Sequence, residues 1–504
     1  MIDENRVVII GAGPAGLAAG YELSKHGREV CILEADPQYV GGISRTVQYH
    51  GFSFDIGGHR FFSKSRQVEQ FWTEILPDDM LVRPRSSRIY YNGRFFSYPL
   101  RPLEAFLKLG PIESTRCVLS YCWARFRRIT TPVSFEDWVV NQFGRRLFEI
   151  FFKTYTEKVW GMSCKEISAE WAAQRIKGLS LMGAILNSFR TRSKRSKRDD
   201  PSRVVKTLID TFRYPRLGPG MLWEACARKI REMGVSQVLL DRCVTGCSYD
   251  ADSGMWSVKA TSQNGGVTSF TARHLISSAP LNELIHHLSP PVCADALDAA
   301  NGLQYRDFLT VAIILRDRGM ISDNWIYIHD PSVRVGRIQN FKSWSPEMVP
   351  NPDVTCYGLE YFCFEGDGLW SRSDTDLLAL AVSELGQIGL AAPGDILDGH
   401  VVRQRKAYPV YTGEYKQYVA TIRKELDASY PRLSLVGRNG MHKYNNQDHA
   451  VMTGMLAAAN ILADRQVYDV WRVNEDAEYQ EEGVAGAESS VSGLRLVPEK
   501  LRHQ

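Results

Sequence analysis

The sequence predicts an α/β fold in which a Rossmann-like dinucleotide-binding domain carries an inserted helical domain and a mixed β-sheet domain. Three observations support this prediction. The apolar run 7–10 leads directly into a glycine-rich turn, residues 102–190 show helical periodicity, and strand-like segments return between 305 and 365. A chain of 504 residues is also longer than one hydrophobic core usually organises, so several domains are expected.

The N-terminal turn has the G-x-G-x-x-G spacing of a dinucleotide site. Gly11 permits the tight turn, Gly13 lets the backbone approach a pyrophosphate, and Gly16 lets the following helix pack closely on the strand. The helix N-terminus offers free N–H groups to the phosphates. A second strand then ends at Glu34, where a carboxylate can bind the adenosine ribose.

A second glycine pair follows the ribose carboxylate within Gly41-Gly42-Ile43-Ser44-Arg45-Thr46, and Gly57-Gly58-His59 comes soon after. Small residues let the backbone run against a long, flat cofactor. This arrangement resembles the FAD-binding pattern of the amine oxidase and UDP-galactopyranose mutase superfamily, which implies FAD as the cofactor. The predicted cofactor-binding residues are Gly11, Gly13, Ala15, Gly16, Glu34, Gly41, Gly42, Ser44, Arg45, Gly57, Gly58, His59, Val244, Arg438, Asn446, Gln447 and Asp448.

The rest of the chain is predicted to interleave three domains and a tail. A β-hairpin is expected around Asn92-Gly93, and a helix over about 448–463 is expected to point its N-terminus at the flavin. The predicted boundaries are 1–60, 206–290 and 425–468 for the FAD-binding domain, 102–190 for the helical domain, 61–101 and 291–424 for the mixed-sheet domain, and 474–504 for a flexible tail.

Composition narrows the function classes. A net charge of +4 is too small to indicate nucleic-acid binding. No apolar run reaches the roughly 18 residues of a membrane span, and no signal peptide is evident, so a cytoplasmic protein is expected. The ten cysteines lack metal-site spacing, so no metal site is predicted. The basic stretch 190–198 is interpreted as a solvated loop, with attraction of an anionic substrate or membrane as the alternative.

An ordered set of motifs between about residues 6 and 463 resembles the UDP-galactopyranose mutases, especially their eukaryotic branch. Asn446-Gln447-Asp448-His449 is its most specific short motif. The other matching segments are Gly57-Gly58-His59, Ser134-Phe135-Glu136-Asp137-Trp138, Lys158-Val159-Trp160, Trp171 with Arg175, Thr211-Phe212-Arg213-Tyr214-Pro215, Arg337 with Trp344-Ser345-Pro346, Tyr408-Pro409 and Tyr444.

The resemblance implies a non-redox reaction that interconverts pyranose and furanose forms of a nucleotide sugar, possibly UDP-linked, through a reduced-flavin N5–sugar adduct. NAD(P)H or another external reductant would first reduce the flavin. Two arginines from separate elements can clamp a diphosphate, and the implied catalytic residues are His59, Arg175 and Arg337. The implied substrate-binding residues are Arg88, Tyr98, Thr156, Trp160, Trp344, Tyr408, Tyr444 and Asn446.

Several positions depart from the mutase pattern and leave alternatives open. Leu100-Arg101 replaces two uracil contacts, Trp344 replaces a tyrosine and Thr156 replaces an asparagine. The sugar, its carrier and the oligomeric state therefore stay open. The main alternative is an FAD-dependent oxidoreductase of the amine oxidase or protoporphyrinogen oxidase type, which the segment 41–46 also resembles. A flavin-binding protein without catalysis is the remaining hypothesis.

Overall fold

The computed structural model describes residues 6–169 and 211–474. The fold is mixed α/β, which confirms the fold class expected from the sequence. Residues 170–210 and 475–504 lie outside the described residues. They include the predicted catalytic residue Arg175, the basic stretch 190–198 and all but the first residue of the predicted tail.

A parallel five-stranded sheet forms the first layer of the fold. Its strands lie in the order Leu433–Leu435, His274–Ser277, Val7–Ile10, Val30–Leu33 and Gln237–Leu239. Val7 to Ile10 are completely buried, as expected for the central strand of a sheet covered on both faces. Three helices that pack together beside this sheet span Pro14–Lys25, Pro219–Glu232 and Gln447–Leu462.

A small antiparallel sheet follows in the chain and extends the same hydrophobic core. Trp256 and Val258 contribute buried side chains from its central strand. Its strands are Val267–Ala272, Met255–Thr261 and Cys243–Asp250, with the short Leu288–Ser289 paired parallel at the edge.

A mixed seven-stranded sheet has a separate core of its own. Only one pair of neighbouring strands in it, Trp325–Ile328 with Ser87–Tyr91, runs parallel. The order of the strands is Ile396–Pro409, Tyr305–Arg316, Val354–Cys363, Arg337–Asn340, Trp325–Ile328, Ser87–Tyr91 and Arg94–Ser97. The sheet thus combines a strand pair from before the helical region with five strands from after it.

The last two strands of this sheet confirm the predicted hairpin. Ser87–Tyr91 and Arg94–Ser97 pair antiparallel, and the turn residues Asn92 and Gly93 have φ values of 48° and 72°. Positive φ at both central positions is what a two-residue type I′ turn requires, and Asn-Gly tolerates it best.

The described part of the region predicted to be helical is indeed helical. A capping box starts the helix Phe135–Phe143: Ser134 accepts from the backbone N–H of Asp137, and the Asp137 carboxylate accepts from that of Ser134. The helices of this region are Pro102–Leu109, Pro111–Phe126, Phe135–Phe143, Arg145–Phe148 and Thr154–Trp160, with a π-helical turn over Glu149–Lys153 before the last.

The remaining elements connect these layers. Two strand pairs are formed by Thr46–Tyr49 with Phe52–Asp55 and by Met80–Pro84 with Thr211–Pro215. The other helices are Arg66–Ile75, Leu281–His287, Ala294–Gly302, Phe341–Trp344, Asp374–Ile388, Tyr415–Ser429 and Gly437–Gly440. In the part of the chain that the structure describes, no helix has both the length and the apolar character needed to cross a membrane.

The helices Gln447–Leu462 and Pro14–Lys25 cross at Gly454. A Cβ atom there would lie 2.2 Å from the carbonyl oxygen of Ala15 and 3.0 Å from the nitrogen of Ala19. We expect Gly454→Ala to lower the free energy of unfolding by about 1–3 kcal/mol, because the backbone it meets cannot move aside easily.

Thermal unfolding checks this prediction. Gly394→Ala is the matched control, since a Cβ at Gly394 meets nothing within 4 Å. Equal midpoints for the two variants would contradict the packing argument.

Candidate active site

The first glycine turn is shaped for a close ligand. Gly11 has a φ of 94°, and a Cβ on it would lie 2.3 Å from the Ser278 hydroxyl oxygen. A Cβ on Gly16 would lie 2.0 Å from the Gly11 carbonyl oxygen, so Gly16 must be glycine for the helix to start here. A Cβ on Gly13, by contrast, would meet nothing within 4 Å, and Gly13 lines an open cleft.

Glu34 closes one side of this cleft. Its carboxylate accepts hydrogen bonds from the backbone N–H groups of Ala12 at 2.7 Å and Asp36 at 3.0 Å. Burial raises the pKa of Glu34, and the two backbone hydrogen bonds oppose that rise. Each carboxylate oxygen has a further lone pair, so the group can still accept from ribose hydroxyls.

The second glycine pair folds back onto the first turn. Gly41 donates its N–H to the Ala12 carbonyl at 2.8 Å, and both Gly41 and Gly42 have positive φ. Arg45 then donates to the Gln404 side-chain oxygen at 2.5 Å, which ties this loop to the long strand Ile396–Pro409. The floor of the cleft is therefore built from two sheets.

The cleft collects most of the predicted cofactor-binding residues. Those that line it are Gly11, Gly13, Ala15, Glu34, Gly42, Ser44, His59, Val244, Arg438, Asn446 and Gln447. Gly16, Gly41, Arg45, Gly57, Gly58 and Asp448 are not among the lining residues. The structure adds lining residues that the sequence motifs did not single out, among them Arg242, Gln404, Lys406, Asn439 and Asn445.

The side-chain oxygen of Gln447, a residue that lines the cleft, is buried without a hydrogen-bond donor among the described residues. Gln447 lies at the first turn of the helix Gln447–Leu462 and donates its side-chain N–H to the Arg60 carbonyl at 2.8 Å. Its side-chain oxygen is buried and accepts no hydrogen bond from any described residue. Because a buried acceptor without a donor is costly, we interpret this oxygen as facing a ligand group.

His59 sits where this cleft meets the seven-stranded sheet. Its Nε2 donates to the Ile56 carbonyl at 2.8 Å. Burial lowers the pKa of His59 to about 4, and the nearby charges of Arg438 and Arg337 act in the same direction. The imidazole is therefore neutral at physiological pH.

Arg337 is held as a cation beside His59. Its Nε donates to Glu360 at 2.5 Å, and Gln339 donates to the other Glu360 oxygen at 2.7 Å. Burial opposes the charge of Arg337, but fully buried Glu360 and the nearby tyrosine hydroxyls together outweigh that effect and raise the Arg337 pKa. Neither terminal nitrogen of Arg337 donates to a described residue, and a Cβ on Gly57 would lie 3.8 Å from one of them.

Aromatic side chains lie around His59 and Arg337. The rings of Tyr408 and Tyr444 stack with centroids 5.7 Å apart, and the Arg438 guanidinium lies 5.0 Å from both. Burial raises the pKa of Tyr408 to about 12, so its hydroxyl stays protonated. Trp160 packs against Tyr444 with centroids 6.1 Å apart.

Two tyrosines that the motifs did not identify complete this group. Tyr327 is paired with Arg337 across neighbouring strands, and the Tyr155 ring lies 5.3 Å from that of Tyr327. The Tyr98 ring is 5.1 Å from Tyr327, on the same side. Thr156 is buried in the helix that carries Trp160.

Two of the predicted substrate-binding residues use their polar groups within the protein. Trp344 is buried, and its indole N–H donates to the Asn324 carbonyl at 2.9 Å and to the Gln339 side-chain oxygen at 3.0 Å. It supports Gly58 from behind and has no donor left for a phosphate. Arg88 pairs with Asp323 at 2.6 Å.

The position of Arg88 follows from strand register. Ile89 lies opposite Tyr327, and Tyr327 lies opposite Arg337. Since neighbours along a strand point to opposite faces, Arg88 is on the face away from Arg337. Arg175, the other predicted arginine, lies outside the described residues.

Comparison with known proteins identifies the family. The model for flavin containing amine oxidoreductases matches residues 14–462. The chain belongs to this family. The glycine cradle, the Glu34 carboxylate and the buried Gln447 oxygen fit FAD.

Curated relatives of this chain include two kinds of enzyme. A probable UDP-galactopyranose mutase of Klebsiella pneumoniae is 26% identical over 174 residues, which cover 33% of this chain and 44% of that protein. A dTDP-fucopyranose mutase of Escherichia coli is 28% identical with the same coverage. Protoporphyrinogen oxidase 2 of Arabidopsis thaliana is 23% identical over 454 residues, 84% of this chain and 87% of that protein. The chain thus aligns with less than half of each mutase.

Solved structures with the same fold include members of both groups. The crystal structure of a reduced UDP-galactopyranose mutase superposes with a TM-score of 0.76 at 23% identity, covering 91% of this chain and 94% of the other. A putative protoporphyrinogen oxidase from Exiguobacterium gives 0.69 at 16% identity, covering 92% and 100%. These similarities establish the fold and do not identify the reaction.

The low pKa of His59 generates a stability prediction. The folded-state pKa of about 4 is below the unfolded value of about 6.5. Neutral His59 therefore contributes its full stability above the unfolded pKa, and that contribution is lost as the pH falls towards the folded pKa. We expect wild type to lose stability relative to His59→Gln across this pH window.

Denaturant unfolding at several pH values measures the free energy of unfolding of wild type and of His59→Gln. The contributions of the other titrating groups cancel when one value is subtracted from the other. His286→Gln, at an exposed site, controls for removal of an imidazole. A wild-type minus His59→Gln difference that stays constant with pH would contradict a neutral, half-buried His59.

Proposed function

We propose that this protein interconverts the pyranose and furanose forms of a nucleotide sugar with FAD as cofactor. The observation that carries the proposal is the Arg337–Glu360 pair beside Gly57 and His59, of which His59 lines the cleft. When bound and reduced, FAD supplies a nucleophilic ring nitrogen and keeps the overall reaction non-redox. An external reductant such as NAD(P)H would maintain that state.

Arg337 suits a diphosphate leaving group. The ion pair with Glu360 uses Nε and leaves the terminal nitrogens to a ligand. Charge-assisted hydrogen bonds from a guanidinium to phosphate oxygens are strong and directional. In a site from which water is excluded, such a cation stabilises the charge that develops on the diphosphate as the glycosidic bond breaks.

The tyrosines can bind the same ligand without adding charge. With a pKa raised to about 12, Tyr408 stays a hydroxyl donor at physiological pH. Tyr444 stacks on it, and Trp160 closes the group beyond Tyr444. Hydroxyl donors can orient phosphate oxygens, and an aromatic wall can exclude water from the sugar.

Neutral His59 has a separate role in this proposal. Its Nε2 hydrogen bond to Ile56 fixes the ring orientation next to Gly57. An imidazolium here would add a further cation beside Arg337 and Arg438, whose charges lower the His59 pKa. A neutral ring would instead orient the loop 57–59 towards bound flavin. It would leave Arg337 as the cation that binds the diphosphate.

An FAD-dependent oxidoreductase is the second candidate. The alignment with protoporphyrinogen oxidase 2 of Arabidopsis thaliana, which covers 84% of the chain, favours it. Such an enzyme would remove a hydride from its substrate in the same cleft. A cation with unused donors supports the mutase more, because a neutral hydride donor leaves the Arg337 nitrogens unsatisfied.

The deciding experiment uses dithionite-reduced protein under anaerobic conditions. UDP-galactopyranose, UDP-galactofuranose and the two dTDP-fucose forms are incubated separately, and products are resolved by chromatography. Interconversion of either pair without net flavin oxidation would support the mutase. Failure with every pair, together with bleaching of oxidised flavin by a non-phosphorylated substrate, would favour the oxidoreductase.

The arginine gives a quantitative prediction for this reaction. We expect Arg337→Ala to lower kcat/KM by roughly 100- to 1000-fold, because it removes an electrostatic stabiliser from the site. Arg337→Lys should retain part of the activity, since it keeps the charge and loses the paired geometry. Steady-state kinetics on the reduced enzyme provide the measurement.

Arg318→Ala is the matched control. Arg318 also pairs with a carboxylate, Asp395 at 2.8 Å, but its side chain is exposed. Wild-type kinetics for Arg337→Ala, in protein with normal flavin content, would contradict the assigned role.

A further inference from the structure

Two neighbouring helices, Pro102–Leu109 and Pro111–Phe126, carry large apolar side chains that face solvent. Leu107 is 74% exposed, Trp123 61% and Phe126 84%. Buried apolar surface stabilises a protein, whereas contiguous apolar exposure marks an interaction surface. We define the outer face as Leu103, Leu107, Ile112, Leu119, Trp123 and Phe126, all of which are exposed.

Helical periodicity places these side chains together. Ile112, Leu119, Trp123 and Phe126 are separated by seven, four and three residues, so they lie along one side of the second helix. The buried residues Cys117 and Ala124 lie on its opposite side. Thus the inner side of the helix holds it to the fold, and the outer face has an apolar stripe of its own.

The charge around the outer face is strongly biased. Residues 101–129 contain six basic and two acidic residues, a net charge of +4. Both acids form ion pairs, Glu104 with Lys108 at 2.6 Å and Glu113 with Arg146. Within the described ranges, no carboxylate forms a salt bridge with the arginines at the end of the second helix, Arg125, Arg127 and Arg128.

Trp123 of the apolar stripe is in contact with Arg127, one of the three arginines at the end of the second helix. The Arg127 guanidinium lies 5.1 Å from the centroid of the Trp123 ring. Tryptophan prefers the boundary between hydrocarbon and headgroups, and basic side chains beside it interact with anionic headgroups.

We propose that the outer face binds the surface of an anionic lipid membrane, with the two helices lying in the plane of the headgroups. A second copy of the chain fits this face less well, because a two-fold interface would bring the same arginines against each other. Anionic headgroups neutralise them instead, while Leu119, Trp123 and Phe126 enter the boundary with the acyl chains. This proposal is independent of the reaction that the cleft performs.

Vesicle sedimentation of the full-length, FAD-loaded protein tests the proposal. One set of vesicles contains phosphatidylcholine alone, and the other an equimolar mixture with phosphatidylglycerol. We expect binding to the mixed vesicles, little binding to the neutral ones, and a fall in binding as NaCl is added, since salt screens exposed charges.

Two variants separate the apolar and the electrostatic contributions. Trp123→Ser/Phe126→Ser should abolish binding to the mixed vesicles. Arg125→Gln/Arg127→Gln/Arg128→Gln should lower the partition coefficient by roughly 100-fold, given the usual contribution of a basic residue near an anionic surface. Val235→Ser/Val267→Ser, which changes two exposed valines outside the outer face, is the matched control and should bind like wild type.

Unchanged flavin content and thermal midpoint establish that each variant is folded, which is expected because the altered side chains are exposed. Absence of binding to the mixed vesicles would overturn the proposal. So would binding that neither outer-face variant weakens. A dimer detected by light scattering, dissociated by Trp123→Ser/Phe126→Ser and without affinity for vesicles, would assign the face to a second copy and equally overturn it.

Discussion

The ion pair between half-buried Arg337 and fully buried Glu360 is the interaction on which the candidate site depends. A carboxylate without solvent exposure is tolerated only when it is paired and hydrogen-bonded, and Glu360 uses both oxygens, one for Arg337 and one for Gln339. Trp344 donates to Gln339, and Gly58 packs on Trp344. The loop that carries His59 therefore rests on the same network that orients the cation.

This network also explains how two sheets make one site. The parallel sheet supplies the glycine turn and Glu34, whereas the mixed sheet supplies Arg337 and the rings around it. Arg45, bonded to Gln404 of the long strand Ile396–Pro409, connects them. The predicted cofactor-binding residues and the Arg337 cation are thus held in a fixed relation by backbone and buried side chains, as the preorganisation of the proposed site would require.

The helical region carries apolar side chains on two sides, of which the fold buries only one. Its inner side packs on the mixed sheet through Cys117, Ile150 and Phe151, while the outer face has apolar groups beyond what the fold uses. Sequence periodicity alone indicated helices here and could not tell which stripe would be buried, because both sides of Pro111–Phe126 are apolar. Only the packing of the inner side identifies the other stripe as unpartnered.

The sequence by itself determined the dinucleotide unit and the Asn92-Gly93 hairpin, because each rests on local spacing: positive φ at glycine, a carboxylate at the strand end, a two-residue turn. It also determined the family, because the matching motifs keep their order along most of the chain. Tertiary structure decided which side chains meet Arg337. Glu360 is 23 residues away in the chain, and its pairing depends on strand register. Strand register also places Arg88 on the opposite face of the sheet from Arg337, because neighbouring residues of a strand point to opposite faces.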